Sequence, residues 1–333
     1  MSAEKNRKRI FESEFRPAWW LRQRHLQTIL PSMPWAAEPT LSMRREVLEL
    51  PDGDNTAVDW PEAGDLFPES SPLLVVLHGL EGSAESTYAQ MMLRAALQHQ
   101  WRCCVLHFRD CGDYRNRLPR RYHAGETNDI RHFLKTLHQE GQTGPVMAVG
   151  YSLGGNILLK YLGESCADSQ LQAATAVCVP LNLHVCAETL KHGFSRFYQR
   201  LLLKNMKNAA AQKFNRDTAA FDWDRAMAAE DFFEFDDAVT APLHGFADVT
   251  DYYDSCSSAQ FLRNIACPTL IVNALDDPFM TPAVIPDEEQ LSDAVQIEAS
   301  RRGGHVGFIE GGTPWRPKYY LPRRVIDFLS EQL

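Results

Sequence analysis

No stretch of this 333-residue chain comes near the ~18–20 consecutive apolar residues that a membrane-crossing helix needs. The first 24 residues have no apolar core of the kind that marks a secretory leader. A cytoplasmic protein is therefore expected. Positive charge is also short. Against 43 Asp and Glu stand 34 Lys and Arg, for a net charge of −9. This argues against nucleic acid as a main partner, because phosphate binding needs a basic face. The eight cysteines include no C-x-x-C pair, and most stand in apolar segments, such as Cys103-Cys104 and Cys178. They read as buried free thiols of a reducing compartment, not as a disulfide framework. Neither G-x-G-x-x-G, nor a Walker A sequence, nor H-E-x-x-H occurs, so no cofactor and no metal are expected.

What is present is an alternation of short apolar runs with helical patterns, which implies a mostly parallel sheet covered on both faces. Leu73–Leu77, Cys103–Phe108, Val146–Val149, Ala174–Val179, Pro268–Asn273 and Val295–Ala299 read as strands. Tyr88–Gln98, Thr127–Gln139 and Val325–Leu333 read as helices, the second with Ile130, Phe133, Leu134 and Leu137 at helical spacing. Glu46–Leu50 and Ala57–Trp60 flank Pro51-Asp52-Gly53-Asp54, a hairpin turn. Residues 184–265 carry no strand signal. Phe194–Ala211, Thr218–Ala229 and a segment around Tyr252–Leu262 read there as helices. In a doubly wound sheet such an insertion sits over the carboxyl edge of the strands, where ligands bind.

The most specific stretch is Gly150-Tyr151-Ser152-Leu153-Gly154-Gly155, set between an apolar strand and a helix-like run. Strand, Gly-x-Ser-x-Gly turn and helix, in that order, describe the nucleophile elbow of an α/β-hydrolase fold. The turn must be sharp enough to lift the serine Oγ above the sheet. The residues two before and two after then come close, and both must be small. A nucleophilic serine also needs a base and a group that orients the base. In this fold they follow in the order acid, then histidine. The acid is expected after the Pro268–Asn273 strand, where Asp276 and Asp277 compete; Asp277 is preferred, with Asp276 as the alternative. The base is expected after the last strand, where Gly303-Gly304-His305 stands. The oxyanion hole needs two backbone N–H groups. Leu153, opening a helix, supplies one, and Leu80 in the loop His78-Gly79-Leu80-Glu81-Gly82 supplies the other, with His78 shaping the loop. Serine rather than aspartate at the elbow selects acyl chemistry.

Further blocks make the likeness specific: His25-Leu26-Gln27-Thr28-Ile29-Leu30-Pro31, Leu50-Pro51-Asp52-Gly53-Asp54, His78 to Ser83, Tyr122-His123-Ala124-Gly125-Glu126-Thr127, Gly193 to Gln199, Asp251-Tyr252-Tyr253, Asp276 to Phe279 and Gly303 to Phe308. From about His25 to the C-terminus the chain resembles the α/β-hydrolase-domain (ABHD) esterase and lipase family, and within it the bacterial YheT-type hydrolases. The resemblance implies a serine carboxylesterase of short- to medium-chain esters, extending to lipid esters, with Ser152, Asp277 and His305 as its triad. Two departures stand out. The membrane anchor that begins eukaryotic relatives is not seen here. After Phe108-Arg109, where the family has Gly-Cys, the chain has Asp110-Cys111-Gly112-Asp113, a loop expected to border the active site.

The organisation expected is an N-terminal basic and aromatic extension (1–24), a first core part (25–183), a helical cap (184–265) and a second core part (266–333). The extension carries Lys5, Arg7, Lys8 and Arg9 ahead of Phe11, Phe15, Trp19 and Trp20. It reads first as a solvated tail whose aromatics pack on the main domain. The second reading is a weak peripheral membrane contact. Acyl transfer or thioester hydrolysis by the same triad, and a non-catalytic binding protein on this fold, are the alternatives to ester hydrolysis.

Overall fold

The structure, a computed structural model, describes residues 8–33 and 39–333. The strands of its main sheet, in chain order, are β1 (Ile10–Glu12), β2 (Met43–Glu49), β3 (Asn55–Pro61), β4 (Leu73–Leu77), β5 (Arg102–Leu106), β6 (Val146–Tyr151), β7 (Ala173–Val177), β8 (Thr269–Ala274) and β9 (Val295–Ser300). Across the sheet they lie in the order β1-β9-β8-β7-β6-β4-β5-β3-β2. All neighbours are parallel except β2 with β3 and β3 with β5. A separate hairpin joins β10 (Ile309–Thr313) to β11 (Arg316–Tyr319). The helices are α1 (Arg24–Ile29), α2 (Thr87–Gln98), α3 (Asn128–Gln139), α4 (Leu153–Ser165), α5 (Leu183–Leu190), α6 (Ser195–Lys213), α7 (Trp223–Ala228), α8 (Phe232–Phe235), α9 (Ala241–His244), α10 (Val249–Cys256) and α11 (Tyr320–Ser330).

The unbroken apolar run of β4 follows from burial on both sheet faces. Side chains alternate across a strand, so Leu73, Val75 and Leu77 join one core cluster while Leu74 and Val76 join another. The first contains Ile130, Phe133 and Leu134 of α3 with Leu158 and Leu162 of α4. The second contains Met92 and Leu93 of α2 with Val325 and Leu329 of α11. Between β7 and β8 the chain makes α5 to α10, whose inward faces form a third cluster with Leu190, Tyr198, Phe235 and Tyr253.

Several local expectations are corrected. Residues 10–12 are an edge strand beside β9 rather than part of a solvated tail. The Ile297 amide donates to Arg9 O (2.7 Å), and Ser13 Oγ donates to Glu298 Oε1 (2.5 Å). Glu298 is buried and needs these partners; Tyr320 and Arg324 supply two more. Phe15 packs against Phe308 with ring centroids 5.0 Å apart, and Trp20 donates to Gly312 O, whereas Trp19 is exposed. Lys5 and Arg7 lie outside the described residues. The helix expected from Thr218 begins only at Trp223, because the Asp222 side chain accepts from the Arg225 amide and caps it there. A wide π turn at Asp236–Thr240 joins α8 to α9 in a segment with no assigned element at the sequence level. Among the described residues no helix is long and apolar enough to cross a membrane.

Candidate active site

Ser152 stands between β6 and α4 with φ +51° and ψ −118°, a conformation that side-chain-bearing residues rarely adopt. Two glycines permit the turn. A Cβ on Gly150 would lie 2.5 Å from Gly154 O, and one on Gly154 would lie 2.4 Å from His78 O. Both contacts are with backbone that cannot step aside, which is the steric reason for Gly-x-Ser-x-Gly.

The structure brings together the three residues assigned to catalysis. Ser152 Oγ lies 3.0 Å from His305 Nε2, and His305 Nδ1 lies 2.8 Å from Asp277 Oδ2. Asp277 is buried, and its second oxygen accepts from the Phe279 amide at 2.7 Å. The neighbouring carboxylate has another place. Asp276 Oδ1 accepts from the Gly304 amide at 3.0 Å, and burial raises its pKa. Asp277 therefore faces the imidazole, while Asp276 ties down the loop that carries it.

The loop between β4 and α2 reaches over Ser152. A Cβ on Gly79 would lie 3.5 Å from Ser152 Cβ. Tyr88 and Tyr122 hydroxyls accept from the Gly79 and Glu81 amides, at 2.8 and 2.9 Å. Among the described residues the Leu80 amide between them has no protein acceptor, and Leu80 and Leu153 both line the cavity above Ser152. The Leu153 amide, at the first position of α4, has no partner in the preceding turn by helix geometry. His78 serves the loop from beneath. Its Nδ1 lies 2.7 Å from Gly79 O, and its Nε2 accepts from the Phe108 amide at 3.1 Å. Full burial pushes its pKa down to about 3, so it is a neutral structural imidazole with the proton on Nδ1.

The cavity of about 130 Å³ beside Ser152 is walled by Leu183, Leu202, Met206, Phe235 and Val239 from the helices between β7 and β8. Polar groups line it as well. Asp236 is buried there, accepting from Thr240 Oγ1 (2.6 Å) and Tyr253 OH (2.8 Å), and burial lifts its pKa to about 6. The Asp110–Asp113 loop does not line this cavity, contrary to expectation. Asp110 instead pairs with Arg121 (2.6 Å), and Arg121, which does line it, also holds Glu81 (2.9 Å). The departure from the family pattern thus acts one layer behind the loop between β4 and α2.

Cys178, Asp277 and His305 place one ligand-type atom each within 4.8 Å of the others. Their chemistry does not fit a metal centre. Burial drives the Cys178 thiol well above its usual range, its Sγ accepts from the Val306 amide (3.2 Å), and the other two groups bond each other.

The quoted motif His25-Leu26-Gln27-Thr28 proves to be a buttress, which its sequence alone did not reveal. Thr28 Oγ1 accepts from the His305 amide at 2.9 Å and donates to Arg24 O at 2.9 Å. Gln27 is buried, accepts from the Ile309 amide (2.8 Å) and donates to Ile309 O (3.0 Å). Phe279 stacks flat on His305, with centroids 3.9 Å apart and planes 4° apart. The imidazole is thus held by α1 as well as by Asp277. Thr28→Val leaves the His305 amide without its acceptor, a loss of roughly 1–3 kcal/mol. It is expected to lower kcat about tenfold with KM unchanged, and Thr28→Ser is expected to restore kcat.

A serine on a strained turn at the carboxyl edge of a mostly parallel sheet, backed by imidazole and carboxylate, places the chain among the α/β hydrolases. Over residues 72–312 it matches the family described as alpha/beta hydrolase fold, and it belongs to that family. It is 42% identical over 323 residues, covering 96% of this chain and 94% of the relative, to the Escherichia coli (strain K12) protein named "Putative esterase YheT". It is 27% identical over 330 residues to phospholipase ABHD3 of Homo sapiens, covering 96% and 80%. The Pyrococcus furiosus esterase Pf2001 shares the fold, with a TM-score of 0.58 at 13% identity, covering 96% of this chain and 98% of that one. The family is of esterase and lipase type.

Proposed function

We propose that the protein hydrolyses carboxylic esters with short- to medium-chain acyl groups through Ser152, His305 and Asp277. The observation that carries the reading is the continuous chain from Ser152 Oγ through His305 to Asp277, at 3.0 and 2.8 Å, opening into an apolar cavity. Ser152 Oγ attacks the ester carbonyl while His305 Nε2 takes its proton. The carbonyl oxygen becomes an oxyanion held by the Leu80 and Leu153 amides. Asp277 keeps the Nδ1 proton in place and stabilises the imidazolium. The C–O bond to the alcohol then breaks as His305 returns the proton to the leaving oxygen. Water, deprotonated by His305, attacks the acyl-serine; the acyl C–Oγ bond breaks as His305 returns the proton to Ser152 Oγ, and the acid departs.

The cavity supports the acyl-size preference. At about 130 Å³ it is close to the roughly 150 Å³ apolar cavity that accepts benzene, a six-carbon ring. A p-nitrophenyl ester series is therefore expected to peak at butyrate to hexanoate and to fall for laurate. No turnover of any member would sink the reading. The names of two relatives, phospholipase ABHD3 and monoacylglycerol lipase ABHD2, support extending the class to lipid esters that offer a short acyl group.

A further inference from the structure

Four large apolar side chains stand about half exposed close together: Leu26 on α1, and Phe194, Phe197 and Leu201 at the start of α6. Patches of this kind mark interaction surfaces. The two helices are joined by His25, whose ring lies 4.5 Å from Phe194 and 5.8 Å from Tyr198. Tyr198 packs on Phe279 (5.1 Å), and Phe279 stacks on His305. Leu202, next to exposed Leu201, lines the cavity. The patch therefore borders the entrance to Ser152.

Its charge identifies the occupant. Arg22, Arg24, Arg196, Arg200 and Lys204 are exposed around these apolar groups. Among the described residues none of the five has a carboxylate within ion-pair distance, although many other Lys and Arg are paired. Helix α6 contains five Lys or Arg and no Asp or Glu, in a chain whose net charge is −9. A helix that shows aromatic and leucine side chains flanked by unpaired cations suits the headgroup region of an anionic bilayer.

We propose that the face formed by α1 and the outer side of α6 docks on an anionic phospholipid surface and turns the cavity mouth toward it. As a route for substrate the proposal rests on the ester-hydrolase reading; as a binding site it does not. It moves the membrane contact from the basic tail to a built helix face.

The test uses full-length Ser152→Ala protein, so that binding is read without turnover. It is floated with vesicles of phosphatidylglycerol and phosphatidylcholine in equal amounts, and with phosphatidylcholine alone. Association with the anionic vesicles only, weakened by salt, is expected. Arg196→Glu/Arg200→Glu/Lys204→Glu is expected to weaken it by on the order of 100-fold or more, and Phe194→Ser/Phe197→Ser to weaken it at constant charge. Unchanged melting curves, and unchanged p-nitrophenyl butyrate turnover when the same changes are made with Ser152 intact, show that these variants fold. The proposal is overturned by absence of flotation, by equal binding to neutral vesicles, or by binding that neither variant alters. A dimer that Phe194→Ser/Phe197→Ser dissolves, without vesicle binding, assigns the face to a second copy of the chain and equally overturns it.

Discussion

Ser152→Ala is expected to lower kcat for p-nitrophenyl butyrate by on the order of a million-fold, the loss seen when the nucleophile of a comparable triad is removed. The size of the effect follows from what the residue supplies. The proposed reaction runs through an acyl-serine, and without Oγ no acyl-enzyme can form. The residual rate comes from water attacking an ester still held against the Leu80 and Leu153 amides. The backbone cost at φ +51° falls on alanine as on serine, so the turn is retained by Gly150 and Gly154, which allow its close contacts. Substrate affinity is therefore expected to persist while turnover disappears. Retention of full activity by this variant would remove Ser152 from the chemistry.

The second large effect separates two adjacent carboxylates. Asp277→Asn is expected to lower kcat at neutral pH by about ten-thousand-fold. An asparagine amide turned toward His305 Nδ1 offers a donor to a donor, and the ring then favours the tautomer that cannot accept the serine proton. Asp276→Asn is expected to stay within about tenfold of the parent enzyme, because a single side-chain carbonyl still accepts from the Gly304 amide and the net loss of one such bond is modest. Steady-state kinetics of the two variants side by side decides the assignment. Equal losses would mean that both carboxylates serve the imidazole.

Much of this site was readable because it is encoded locally. Gly150 to Gly155 sits directly between a strand and a helix, and the steric demand that spells the motif acts within six residues. The order of serine, acid and histidine follows from where the strands end. Sequence order left two adjacent carboxylates as candidates, and the geometry places Asp277, the preferred one, against His305.

What could not be read is encoded over long separations. Strand β1 is three residues, too short for a periodic signal, and its partner β9 lies at the other end of the chain. Thr28 and Gln27 buttress a loop 277 and 282 residues away, so their hydrogen bonds leave no local trace. Asp236 belongs to a π turn, whose spacing matches neither helical nor strand periodicity, and only the fold points it into the cavity. The β10–β11 hairpin did carry a local sign, Pro314-Trp315 between the paired Thr313 and Arg316, that the strand pattern could have used.

The central claim is that Ser152 is a nucleophile activated by His305. Intact-mass and peptide-mass analysis after exposure to a fluorophosphonate tests it most directly, because an activated serine attacks the reagent's phosphorus, displaces fluoride and is left phosphonylated. One adduct per chain is predicted, located on Ser152, absent from Ser152→Ala and strongly slowed in His305→Ala. A folded parent protein that takes up no label, or takes it up on another residue, would contradict the account.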